Sequence, residues 1–195
     1  MQKGIPQIMD VTSIKSILHY LSREILPSRF ETAQQPEPNT IQIGLRGINN
    51  TSWIEVSWQG DCARIVKINR PDKLGSQSTL AKQLSYGLKY MALVFIEQDK
   101  FERVIKFAFA KKPGDLIDKY LIFELMGKHS NIFYLDKNLK IIAAGKQVKS
   151  TQSSYRTIST GNIYKQPPLN NKKEPNENET FQAVSYTHLT LPTSV

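Results

Sequence analysis

Residues 103–144 read RVIKFAFAKKPGDLIDKYLIFELMGKHSNIFYLDKNLKIIAA. Four strand-length runs rich in β-branched and aromatic residues stand in this stretch, at Arg103–Phe109, Tyr120–Met126, Asn131–Leu135 and Leu139–Ala144. Gly127–Ser130 links the second run to the third, and Asp136-Lys137-Asn138 links the third to the fourth. Links this short cannot carry the crossover that parallel strands need, so the runs pair antiparallel. The pattern extends upstream to a run at Met91–Ile96. Further back, Ile41, Ile43 and Leu45 alternate with polar residues, as do Ile54, Val56 and Trp58, with the turn signal Asn49-Asn50 between them. Another strand is expected at Ala63–Ile68, after Gly60-Asp61.

Helical spacing frames these strands. Ile14, Ile17, Leu18, Leu21 and Ile25 share one helix face, with Asp10 placed to cap the run and Pro27 just beyond it. Ser78–Leu88 reads as a second short helix. Many strands with turn-length links predict an α+β fold: an antiparallel β-sandwich or barrel-like domain flanked by helices, compact from about Asp10 to Val148. No internal repeat is visible. Residues 1–168 form the expected domain. Gln166-Pro167-Pro168 leads into 169–182, an almost wholly polar linker that cannot bury enough apolar surface to order itself. Residues 183–195 contain VSYTHLTLPTS, similar to a translated sequencing-adapter tail, and are read as non-native.

Composition narrows the function. Hydrophobic residues make up 39% of the 195, and no run approaches the roughly 20 apolar residues of a spanning helix. Met1–Asp10 has no apolar segment of the secretory kind, and Cys62 is the lone cysteine, so a cytoplasmic setting is expected, with no membrane and no thiolate metal site. The formal net charge is +9, and Lys100–Ser150 holds eleven Lys/Arg against five Asp/Glu. A basic surplus suits nucleic acid, because neutralising phosphates releases counterions. A merely solvated basic surface is the alternative, and composition leaves both open.

Four ordered elements carry a family resemblance: Met9-Asp10; Phe101-Glu102-Arg103-Val104, followed by Phe107 and Lys111-Lys112-Pro113-Gly114-Asp115; Glu124-Leu-Met-Gly-Lys-His-Ser-Asn-Ile132; and Gln152-Ser153-Ser154-Tyr155-Arg156, leading to Gly161, Tyr164 and Pro167-Pro168. Together they span about Met9–Pro168, and the chain resembles the N-terminal domain of the NFACT family of ribosome quality-control factors, in its cyanobacterial or plastid spelling. The resemblance implies a fold similar to the N-terminal domain of formamidopyrimidine-DNA glycosylases, with a helix-hairpin-helix region, a coiled coil and an RNA-binding domain to follow. It implies that the partners are the large ribosomal subunit obstructed by peptidyl-tRNA and a tRNA, mainly alanyl-tRNA, recruited for mRNA-independent tailing of the nascent chain. Peptide-bond formation then belongs to the ribosome, so no catalytic residue and no cofactor are implied, and a monomer is expected.

The family's acid–arginine pair for tRNA recruitment falls on Glu102-Arg103, where Glu102 stands in place of the more usual Asp. An arginine fork can grip phosphate or a base edge bidentately. The bland reading is a strand-end ion pair worth about 0–1 kcal/mol. Asp10 carries over as a second functional acid, or is simply an N-cap. In Gly127–Asn131, Lys128 and His129 lean to RNA contact, while Ser130 and Asn131 brace the turn. His129 has no clustered partners and is no metal ligand, and His19 belongs on a helix surface. Lys106, Lys111, Lys112 and Lys119 form the expected basic surface, which Arg156 extends. Trp53 and Trp58 lie an odd number of positions apart, so one should be core and the other could stack on a base, although packing is the commoner fate.

Two rivals remain. A glycosylase needs an N-terminal proline amine followed by glutamate, whereas Gln2 and Lys3 stand here, so the nucleophile is missing. Some homologues carry the name fibronectin-binding protein, which makes a surface adhesin the second alternative, without a signal peptide, anchor or repeat to support it.

Overall fold

The computed structural model describes residues 9–72, 78–99, 102–153 and 155–168; the expected linker and tail, 169–195, lie outside them. The chain runs α1 (Val11–Ile25), β1 (Ser28–Glu37), β2 (Thr40–Arg46), β3 (Thr51–Ser57), β4 (Arg64–Ile68), α2 (Thr79–Gly87), β5 (Ala92–Gln98), β6 (Val104–Ala110), β7 (Ile117–Glu124), a 3-10 turn at Gly127–His129, β8 (Asn131–Asp136) and β9 (Ile141–Ala144).

All the strand pairs are antiparallel, as their short links require, and they join into one nine-stranded sheet in the order β4-β3-β2-β1-β5-β6-β7-β8-β9. The α+β expectation holds: the antiparallel strands form a continuous sheet made of two meanders joined at β1 and β5. That sheet folds over, because residues from its two ends meet. Lys146 Nζ donates to the Trp58 carbonyl at 3.3 Å. A methyl group on Gly145 would sit 2.8 Å from the Trp58 indole.

The main core lies between the folded halves and takes in Ile14, Leu18, Leu21 and Ile25 of α1, Leu80, Ala81 and Leu84 of α2, and inward residues from Ile65 on β4 to Ala143 on β9. A second cluster forms on the other face of β6–β9 from Val104, Ile122, Phe133, Leu135 and Ile141, sealed by Ile158 and Tyr164 of the returning chain. Both tryptophans are buried, so neither stacks on a base. Trp58 joins the main core, while Trp53 packs over Gly44.

The strand absent from the sequence reading is β1. It sits centrally, between β2 and β5, yet only Phe30 and Ala33 of its ten residues enter the core. Two register shifts against β2, at Phe30/Thr32 and Gln34/Glu37, break its alternation, and Pro36 falls inside the second. Among the described residues no helix is long and apolar enough to cross a membrane.

Candidate nucleic-acid interface

One end of the sheet gathers the turn before β6, the turn between β7 and β8, the head of α1 and the chain after β9. At the first turn Asp99 N–H donates to the Val104 carbonyl at 2.9 Å and Glu102 N–H to the Asp99 carbonyl at 2.8 Å. Leu125 N–H donates to the Arg103 carbonyl at 2.9 Å, continuing the β6–β7 ladder and fixing the Arg103 backbone. At the second turn Gly127 takes φ +57°, a conformation glycine adopts cheaply, and Ser130 N–H closes it on the Gly127 carbonyl at 2.9 Å.

Asn131 holds this turn to the following chain. Its amide donates to the Lys146 carbonyl at 2.9 Å, and its carbonyl oxygen accepts from Ile132 N–H at 2.9 Å and Lys146 N–H at 2.8 Å. Asn131 therefore braces, as expected. Ser130 is also buried, but its hydroxyl finds no hydrogen-bond partner among the described residues.

The head of α1 joins through a residue the sequence did not single out. Gln98 Nε2 donates to the Glu102 carbonyl at 3.0 Å and to the Val11 carbonyl at 3.3 Å, setting the first helical turn against the Glu102-Arg103 turn. Asp10 caps that helix, accepting from Ser13 N–H at 2.7 Å, and this hydrogen bond holds its carboxyl below the usual range. Gln166 Nε2 donates to Asp99 at 2.6 Å and ties down the chain's last described segment.

Between these parts lies a groove of about 380 Å³ lined by Glu102, Arg103, His129, Tyr155, Arg156 and Pro167, among others. Four of the expected site residues thus meet in one place. Arg103 is half-buried with no hydrogen bond or ion pair from its guanidinium to the described residues, and Tyr155 beside it is 59% exposed. A neighbouring hollow adds Lys128, Lys146 and Ser130 and shares His129 and Arg156.

Arg156 does not extend an open basic surface. Its guanidinium turns inward and binds both oxygens of Glu124, which has no exposed surface; Nη1 donates to Oε1 at 2.8 Å and Nη2 to Oε2. Tyr164 Oη donates to the same carboxylate at 2.8 Å, and Arg156 Nη1 also donates to the Lys165 carbonyl at 2.7 Å. Burial disfavours the Arg156 charge, but the hydrogen bond and field of Glu124 outweigh it, so its pKa is raised. Burial, then the Glu124 charge, pushes the Tyr164 phenol well above its usual range. The signal for this pair was an acid inside the apolar run Leu121–Met126, since a buried charge requires a partner.

The expected lysine surface is divided. Lys106 lies mid-strand in β6, ion-paired with Glu97 across the ladder, and Lys119 lies 3.8 Å from Asp118. Lys111 and Lys112 are exposed past the far end of β6, roughly 25 Å from Arg103 at the rise of an extended strand. Among the described residues no group of three or more His, Cys, Asp or Glu side chains could hold a metal ion.

A model of a family described as NFACT N-terminal and middle domains matches residues 10–192. The chain is 31% identical over 167 residues to a Streptococcus suis protein named Rqc2 homolog RqcH, covering 81% of this chain and 30% of that one, so it spans less than a third of this relative's length. The N-terminal structure of the fibronectin/fibrinogen-binding protein from Streptococcus suis superposes with TM-score 0.76 at 27% identity, over 83% of this chain and 62% of that one. The N-terminal domain of the fibronectin-binding protein PavA from Streptococcus pneumoniae gives the same TM-score at 26% identity, over 94% and 69%.

Proposed function

The chain belongs to the NFACT family, and from that membership we propose that it is the RNA-contacting N-terminal part of a ribosome quality-control factor. The observation that carries the reading is the groove that Arg103, whose guanidinium has no hydrogen bond or ion pair to the described residues, lines together with Glu102, His129 and the exposed Tyr155. An arginine fork suits a phosphate or base edge, and an exposed aromatic beside it suits an unstacked base. The Streptococcus suis relative named Rqc2 homolog RqcH supports the ribosomal setting. In that setting the chain is not an enzyme. It holds a tRNA, mainly alanyl-tRNA, on a large subunit obstructed by peptidyl-tRNA, and the ribosome makes the peptide bond. The site is a cytoplasmic one.

The test is Arg103→Ala in the full-length protein, with purified obstructed large subunits scored separately for bound factor and bound tRNA. Loss of one charge-assisted contact should cost roughly 1.5–3 kcal/mol, or about 10- to 150-fold in tRNA affinity, and abolish tailing without unfolding the domain. Arg103→Lys should recover part of it, keeping the charge but losing the fork. Unchanged tRNA occupancy and tailing would reduce Glu102-Arg103 to a surface feature. A second reading, a surface adhesin, rests on the names of the two streptococcal structures. Fractionation separates them, because an adhesin is found mainly in the envelope or medium.

A further inference from the structure

A second basic hollow lies at the opposite end of β6 from the Arg103 groove. It measures about 440 Å³, and Arg29, Arg46, Lys111 and Lys112 line it together with Tyr90 and Ser28. Arg29 and Arg46 are direct cross-strand partners on β1 and β2. Like charges facing each other on adjacent strands destabilise a sheet unless a counter-charge relieves them. Within the chain that relief is slight: Glu31 reaches Arg46 at 3.6 Å, with Arg46 54% exposed. Lys111 and Lys112 add two exposed cations to the same wall, and no acidic side chain is among the described residues that line it.

Two further features point to a ligand. Tyr90 is 66% exposed and held at φ +67°, a left-handed conformation that costs energy in a bulky residue. It lines the hollow together with the cations, and the Lys89 ammonium lies 5.1 Å from its ring centroid. The Ser28 hydroxyl, buried in the lining, has no hydrogen-bond partner among the described residues. A cationic wall beside an exposed aromatic is the arrangement that holds single-stranded nucleic acid, with phosphates on the cations and a base on the ring.

We propose that this hollow is a second RNA contact, in which Arg29, Arg46, Lys111 and Lys112 bind the phosphodiester backbone of a single-stranded segment while Tyr90 stacks on a base. The identity of the ligand as RNA rests on the function proposed above, but the site does not share a residue with the Arg103 groove. Contacts roughly 25 Å apart, one at each end of β6, fix the orientation of an RNA as well as its attachment.

The test uses the 195-residue chain and a fluorescein-labelled 20-nucleotide single-stranded RNA, followed by anisotropy over a salt series. Arg29→Gln with Arg46→Gln, and separately Lys111→Gln with Lys112→Gln, should each weaken binding about 10-fold and flatten the log–log salt slope by about 1.4, the value for two lost single-strand phosphate contacts. Arg29→Lys with Arg46→Lys should keep the slope. Tyr90→Leu should weaken the intact RNA several-fold and leave an abasic oligomer of the same length unaffected. Circular dichroism on each variant confirms the fold. Wild-type affinity and slope in both glutamine pairs, or no binding by the wild-type chain, would overturn the proposal. If Arg103→Ala alone weakens binding, the groove stands and the hollow falls; if only the hollow variants do, the reverse holds. Displacement of the RNA by polyglutamate, with Tyr90→Leu unchanged, would mark an acidic protein as the partner and sink the RNA assignment.

Discussion

Glu124 has no exposed surface, and the donors of Arg156 and Tyr164 meet on its two oxygens. Taking both charges out of water is expensive, and their mutual attraction only roughly offsets that cost. The pair is therefore poor evidence of added stability, but breaking it is severe. Arg156→Leu leaves a carboxylate buried without its cation and should cost about 3–5 kcal/mol in urea unfolding, whereas Glu124→Leu combined with Arg156→Leu should recover most of the loss. If the double variant is no better than the single one, the pair does more than compensate its own burial. At this scale the sequence was legible in part. An acid within an apolar strand announces a partner, but the partner lies 32 positions on, in a segment whose composition reads as surface. Gln98 was illegible for a similar reason, since its two acceptors are backbone carbonyls that only the fold brings together. Asn131 was legible as a brace because it stands in a short turn, although the Lys146 backbone it holds lies 15 positions on.

Elements meet where small residues let them. Helix α2 ends at Gly87 against β8, where a methyl group added to Gly87 would fall 2.1 Å from Tyr134 Oη and 2.9 Å from its ring carbon. Gly87→Ala must push the helix or the ring aside, an overpacking that typically costs about 1–3 kcal/mol. Tyr134→Phe removes the nearest of those atoms, so the double variant should be less destabilised than the sum of the two singles, by an amount a double-mutant cycle reads directly. Strict additivity would place the strain elsewhere. Contacts of this kind explain which elements were legible. β3, β6, β7 and β8 were found because dense apolar runs and short turns fix them locally. β1 was not, because its position in mid-sheet is set by backbone ladders to β2 and β5 while its side chains are mostly polar and twice out of step. The joining of all nine strands into one folded sheet was not legible either, since the closure rests on a glycine beneath an indole and a lysine on a distant carbonyl.

At the scale of the whole molecule, two apolar clusters among the described residues lie on the two faces of β6–β9, and each contains a buried tyrosine. Tyr134 sits in the larger, where burial first and then the charge of Asp118 push its phenol up to about 12. Tyr164 sits in the smaller, and burial with the Glu124 charge carries it in the same direction. An unfolded tyrosine ionises near 10. Below that pH both states hold the phenol proton and the full stabilisation is present. Above it the unfolded chain releases protons that the native protein keeps, so stability falls as pH rises from 10 through the folded value. Each tyrosine can contribute up to about 1.4 kcal/mol per pH unit in that window, and the two act together because both clusters must open for the chain to unfold. Lys67 adds to the trend, its ammonium held in the charged form chiefly by the Tyr20 hydroxyl. Urea midpoints should therefore change little between pH 7 and 9 and drop steeply from pH 10 to 11. Tyr134→Phe and Tyr164→Phe should each flatten that drop, whatever they do to stability at pH 7. A spectrophotometric titration supplies an independent reading: Tyr134 and Tyr164 should resist ionisation until the fold is lost. If Tyr134 and Tyr164 titrate near pH 10 while the protein remains folded, their phenols reach solvent and neither cluster is sealed as the packing requires.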